Sequence, residues 1–182
     1  VGEVCFNTSI TGYQEIMTDP SYAGQMITFT FPHIGNVGTN DEDIENAKPV
    51  ALGCILRQDI TDPSSYRAQK HFNQWLAEHG RIGIAGVDTR HLTKRIRTEG
   101  APNGVICHSP DGTFDIPALI AKANDWPGLE GMDLAKDNSC TTGYDWDEAL
   151  WTREGGYGKV GNAKHHVVAI DYGVKRNILR NL

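Results

Sequence analysis

Short apolar and β-branched runs recur along this chain, each bounded by turn-forming residues, which restricts it to folds where brief strands alternate with helices. The runs fall at residues 3–6, 26–31 (MITFTF), 50–57 (VALGCILR) and 103–107, with clusters of Gly, Pro, Asn and Asp between them. Between the runs the apolar period changes to that of a helix. In SSYRAQKHFNQWLAEHG, residues 64–80, the side chains of Ala68, Phe72, Trp75, Leu76 and His79 share one face, Ser64 or Ser65 is placed to cap the start, and Gly80 ends it. Asp88 suits the N-cap of TRHLTKRIRTEG, where Leu92 and Ile96 face inward and Arg90, Lys94 and Arg97 form a solvated opposite face. A third helix is expected over residues 115–125, stopped by Pro127 and Gly128. The expected class is mixed α/β.

Composition removes several functions. Of the 182 residues 39% are hydrophobic, enough for a core, and the net charge of −6 disfavours a general nucleic-acid or anionic-membrane binder, either of which needs a basic surface. No apolar run reaches membrane-spanning length, and VGEVCFNTSI lacks the basic and apolar regions of a signal peptide, so a cytoplasmic protein is expected. Cys5, Cys54, Cys107 and Cys140 are far apart, without Cys-x-x-Cys spacing or a closely spaced His partner that suggests a zinc site, and none sits on a Gly-x-Cys-x-Gly elbow. Cys54 and Cys107, within apolar runs, read as small buried hydrophobes. The seven His residues show no metal-binding spacing, and His33 and His108 read as structural. Asn7-Thr8-Ser9 is formally a glycosylation sequon, without weight in the absence of a secretory signal.

From about residue 127 to 164 the chain is rich in Gly, Asp and Trp, and REGGYGKVGNAKHH reads as an exposed linker with a domain boundary near 160. Gly156, Gly158 and Gly161 match a dinucleotide-binding spacing, but that motif needs a strand before it and a helix after it, and here the strand run follows. That run, Val167 to Ile170, closes on Asp171, turns at Gly173 and enters an amphipathic segment, as a buried parallel strand does when it hands over to a helix. Residues 166–182 are expected to pack poorly on what precedes them.

The segment CFNTSITGYQEIMTDPSYAGQ, residues 5–25, runs a strand into Asn7, Thr8 and Ser9, places Thr11 and Gln14 at capping-box spacing, and turns back at TDPSY. Its small polar side chains suit either local capping or a ligand-facing loop.

FNTSITGYQEIMTDPSYAGQMITFTFPHIGNVGTN, together with AGVDTRHLTKRIRTEGAPNGVI, PGLEGMDLAK and VVAIDYGVKRNILRNL in that order, closely resembles the small subunit of glutamine-dependent carbamoyl phosphate synthetase. The resemblance implies an N-terminal swivelling β/β/α domain over residues 1–155, its first strands missing, a linker over 156–165, and over 166–182 the first strand and helix of a class I glutamine amidotransferase domain. The implied activity is hydrolysis of glutamine through a Cys-His-Glu triad beyond Leu182, with ammonia channelled to a large subunit that uses ATP, magnesium and bicarbonate. No cofactor and no catalytic residue are implied for this chain. Ser21, in the Asp-Pro-Ser-Tyr turn, is implied to hydrogen-bond the bound glutamine, while Asn7, Thr8, Ser9, Thr11, Tyr13 and Gln14 are expected to cap or pack. A free-standing interaction module is the alternative, in which the last 18 residues pack on the core.

Overall fold

The computed structural model describes residues 1–182. A five-stranded sheet organises residues 1–106, in the order β4 (Ile82–Ile84), β3 (Gly53–Ile55), β2 (Gln25–Phe29), β1 (Gly2–Asn7) and β5 (Asn103–Gly104). The first four run parallel and β5 pairs antiparallel with β1 at the edge. Parallel neighbours need a crossover, and these crossovers carry helix α1 (Tyr13–Thr18) between β1 and β2 and α2 (Phe72–Glu78) between β3 and β4. Helix α3 (Thr89–Glu99) covers the opposite face.

The pleat divides the core in two. Ile27, Phe29, Cys54 and Leu56 meet Tyr13 and Met17 of α1 and Phe72, Trp75 and Leu76 of α2. Val4, Met26 and Ile55 point the other way and meet Ile96, with Phe6, Leu52 and Leu92 around them. β2 is central and covered on both faces, which is why its sequence is a nearly continuous apolar run without polar alternation.

Beyond the sheet lie α4 (Ile116–Asn124), α5 (Leu134–Asn138), the antiparallel hairpin β6 (Glu148–Thr152) and β7 (Gly156–Lys159), and α6 (Arg176–Arg180). No helix is long and apolar enough to cross a membrane, and no three His, Cys, Asp or Glu side chains converge as a metal site. Asp88 and Asp115 cap α3 and α4 as their sequences require, accepting from the amides of His91 and Ala118 at 3.1 and 3.0 Å.

Several expectations are corrected. The helix around Trp75 starts at Phe72, not near Ser64, because residues 64–70 pair with the long β2–β3 loop: the amides of Ser64 and Gln69 donate to Asn36 O and Thr39 O at 2.8 and 2.9 Å. His71 Nδ1, not a Ser hydroxyl, caps it by accepting from Asn73 N–H at 3.1 Å. Thr11 and Gln14 form no capping box, since the N-cap of α1 is Gly12 (φ 82°), which has no side chain to cap it. Gln14 is buried and bonds the backbone of Asn40 in both directions, at 2.6 and 2.9 Å. Cys107 is exposed because only Asn103 and Gly104 of its run find a strand partner. Gly156 to Lys159 form a strand of a hairpin, so the Gly156, Gly158 and Gly161 spacing is no dinucleotide-binding loop. Val167 to Ile170 lie outside both sheets, with Val168 and Ile170 80% and 76% exposed; an apolar run becomes a strand only against a pairing edge. The helix after it nevertheless docks. Arg180 is buried, paired with Glu148 Oε2 at 2.9 Å and stacked 3.5 Å over Tyr157, and Glu45 accepts from the amides of Arg176 and Asn177.

Candidate functional site

The turn that follows α1 is built by one carboxylate. Asp19 ends α1 and caps the 3-10 turn Pro20–Tyr22, its Oδ1 accepting the Ser21 amide at 2.9 Å, while Pro20 presets the first φ of the turn. Tyr22 ties the turn to the end of β1, its hydroxyl accepting from Asn7 Nδ2 at 2.9 Å. The turn backbone is thereby satisfied without Ser21. The Ser21 side chain is exposed and its hydroxyl makes no hydrogen bond within the chain.

A second turn lies against the first. Asp171 Oδ1 accepts the amides of Gly173 and Val174, both at 2.8 Å, and Oδ2 accepts the Tyr144 hydroxyl at 2.8 Å. Against burial, which opposes it, these donors hold the Asp171 carboxyl below its usual range. Gly173 has φ 97°, and a β-carbon there would lie 3.3 Å from Pro20 Cβ and 3.0 Å from Asn138 Cβ, so only glycine allows this approach. Lys175 then reaches Asp19 Oδ2 at 2.7 Å, a bond that raises the Lys175 ammonium above its ordinary value.

A separate cleft of about 430 Å³ lies over the start of α1, walled by Glu15, Asp43, Arg67, Tyr66, Trp151 and Tyr157. Burial, reinforced by Asp43 and Glu45 and opposed by Arg67, pushes the Glu15 carboxyl up to about 7. Arg67 is held by Glu42 and Asp43 and lies 4.5 Å over the Trp151 ring, whose Nε1 donates to Glu42 at 3.2 Å. Ser21 takes no part in this cleft.

Of the polar residues before the turn, Asn7, Tyr13 and Gln14 have structural partners, whereas Thr8, Ser9 and Thr11, expected to cap or pack, are exposed and their side chains neither cap nor bond the chain. Asn7 serves Tyr22 and accepts the Ser9 amide, Tyr13 donates to Gly38 O at 2.8 Å, and Gln14 holds Asn40. The sequence singled out Ser21 through family resemblance alone, and it missed Lys175, which is 156 positions from its partner and shows no local signal.

Comparisons with known proteins place this geometry. Residues 1–106, the segment holding the five-stranded sheet, match the family described as carbamoyl-phosphate synthase small chain, CPSase domain. The chain is 60% identical over 183 residues to the carbamoyl phosphate synthase small chain of Zymomonas mobilis subsp. mobilis, covering 100% of this chain and 49% of that protein. The small chain of Bradyrhizobium diazoefficiens is 59% identical over 186 residues, covering 100% of this chain and 47% of its own length. That of Caulobacter vibrioides is 57% identical over 186 residues, covering 100% and 48%. The chain spans about half the length of the curated relatives it matches. With the family match extending over more than half of its residues, this chain belongs to the carbamoyl-phosphate synthase small-chain family.

Proposed function

We propose that the chain supplies the N-terminal part of a small subunit that hydrolyses glutamine and passes ammonia to a large subunit, which makes carbamoyl phosphate from bicarbonate and ATP with magnesium, for arginine and pyrimidine synthesis in the cytoplasm. Residues 1–155 act as the swivelling β/β/α domain, 156–165 as the connection, and 166–182 as the first strand and helix of a class I glutamine amidotransferase domain. The exposed apolar run Val167 to Ile170 supports this division, since it has the composition of a strand and awaits a pairing edge.

Chemistry at the glutamine amide needs a thiolate at neutral pH. Burial instead pushes Cys5 up to about 11 and Cys54 up to about 12, and no imidazole is bonded to Cys107 or Cys140. The nucleophile is therefore assigned to other residues of the complete subunit, and this chain contributes a substrate contact.

That contact is Ser21. The observation that carries it is a free hydroxyl on a turn whose backbone Asp19 already satisfies, set beside the Asp171–Lys175 turn. A hydroxyl both donates and accepts, matching an amino acid that carries both kinds of group. In the full small subunit assembled with its large partner, Ser21→Ala is expected to raise the KM for glutamine by about 2- to 100-fold with kcat nearly unchanged. Synthesis from added ammonia bypasses the site and should stay at the parent rate. An unchanged glutamine KM, or equal losses with glutamine and ammonia, would refute the contact.

A further inference from the structure

From the Asp19 geometry we infer that this carboxylate is a positioning residue, which locks the Ser21 turn onto the Asp171–Lys175 turn and so sets where the Ser21 hydroxyl stands; the inference rests on the substrate-contact reading of Ser21. Other aspartates in the chain show what capping alone looks like. Asp115 and Asp133 each cap a helix through one oxygen, accepting from Ala118 and Lys136 at 3.0 and 3.1 Å, and both are exposed. Asp88, the cap of α3, is exposed as well. Asp19 is 6% exposed and divides its oxygens between two segments, Oδ1 to the Ser21 amide and Oδ2 to Lys175 Nζ.

Capping does not require that arrangement, and it is unfavourable unless completed. Burying a carboxylate costs free energy without a counter-charge, and this one also stands at the C-terminal end of α1, where the helix dipole disfavours an anion. Lys175 offsets both effects, so the charge on Asp19 ties the two turns together. Gly173 approaches Pro20 so closely that a β-carbon there would lie 3.3 Å from Pro20 Cβ, which couples the two turns. Ser21 lies two residues from Asp19 within the same turn, and its hydroxyl position follows from this lock.

The test uses the full small subunit with its large partner, assayed with glutamine and with ammonia, for Ser21→Ala, Asp19→Ala, Asp19→Asn and the double variant Asp19→Ala/Ser21→Ala. Asp19→Ala should raise the glutamine KM into the range of Ser21→Ala, about 2- to 100-fold, without slowing the ammonia-dependent rate. The double variant should be no worse than Asp19→Ala alone, because the two residues act through one contact. Asp19→Asn keeps an oxygen for the Ser21 amide and loses the charge facing Lys175, so its KM should fall between the parent and Asp19→Ala. Being isosteric, it keeps the test open where Asp19→Ala folds poorly. A raised KM in Ser21→Ala beside a parental KM in both Asp19 variants overturns the lock and leaves the Ser21 contact standing. Multiplicative effects in the double variant, or loss of the ammonia-dependent rate in Asp19→Asn, also overturn it. A parental KM in Ser21→Ala overturns the contact and this inference together.

Discussion

Residues 1–106 and residues 107–182 are held by different forces. Every buried residue lies in the first region except Arg180, and that exception is a cation. The first region excludes water between a sheet and helices on both its faces. The second is attached through charges and rings: Arg180 on Tyr157 and Glu148, Trp151 on Arg67, Glu45 at the start of α6, Lys175 on Asp19. Apolar burial is non-directional and sums to stability, whereas partly solvated polar contacts contribute little energy each but fix orientation. Stability should therefore follow the first region, and the placement of the Ser21 turn should follow the contacts between the two.

The sharpest break comes from the core. Phe72 is fully buried, 4.7 Å from the Tyr13 ring and 5.8 Å from Trp75. Phe72→Ala should cost about 3–5 kcal/mol of unfolding free energy, measured by urea denaturation. A loss below ~1 kcal/mol would mean that the dry core is not what holds the first region.

Glu15 gives the next largest effect, with the opposite sign. Its carboxyl is pushed up from an ordinary 4.5 to about 7, so between those values the folded chain keeps a proton that the unfolded chain has released. Stability contributed by this group is thus lost as pH rises from about 4.5 to 7, and the full cost, about 3 kcal/mol, is present above 7. Glu15→Gln should be more stable than the parent by up to ~3 kcal/mol at pH 8 and indistinguishable from it near pH 4.5, read from paired denaturation curves. Equal curves at pH 8 would show that Glu15 is better solvated than the cleft implies.

The smallest effect separates the two regions directly. Arg180→Gln removes the guanidinium from Tyr157 and Glu148, but Glu148 is partly exposed, so the loss should be about 1–2 kcal/mol and local. Hydrogen exchange should quicken about 5- to 30-fold at the amides of Trp151 and Tyr157 and stay unchanged at Leu76. Faster exchange at Leu76 would join the two regions into one cooperative unit and dissolve the comparison.

Legibility in the sequence divides along the same line. The first region was read well where one face of an element decides its fate: β1, β2 and β3 lie within or beside the expected runs, and Asp88 caps the expected helix. Reading failed where a side chain or backbone had a distant partner. Ser64 to Lys70 continue a helical pattern but bond the β2–β3 loop, and Gln14 sits at capping spacing but is spent on Asn40. The hairpin of β6 and β7 was missed because its few residues are divided by an irregular register, so that neither strand shows a clear period-2 pattern.

Short-range physics, then, was sufficient in the sequence alone: the alternation of strands and helices, the inward faces of α2 and α3, and the turn at Asp19-Pro20-Ser21 follow from periods, propensities and φ restrictions within a few residues. Family resemblance supplied Ser21 as a residue to watch. Tertiary structure decided what sequence distance hides: the parallel order of the sheet, the partial burial of Glu15 among other carboxylates, and the meeting of Asp19 with Lys175. The reason is that electrostatic and hydrogen-bond partners are chosen by proximity in space, which no local period encodes, so a charge at position 175 gains its meaning only when the chain brings it to position 19.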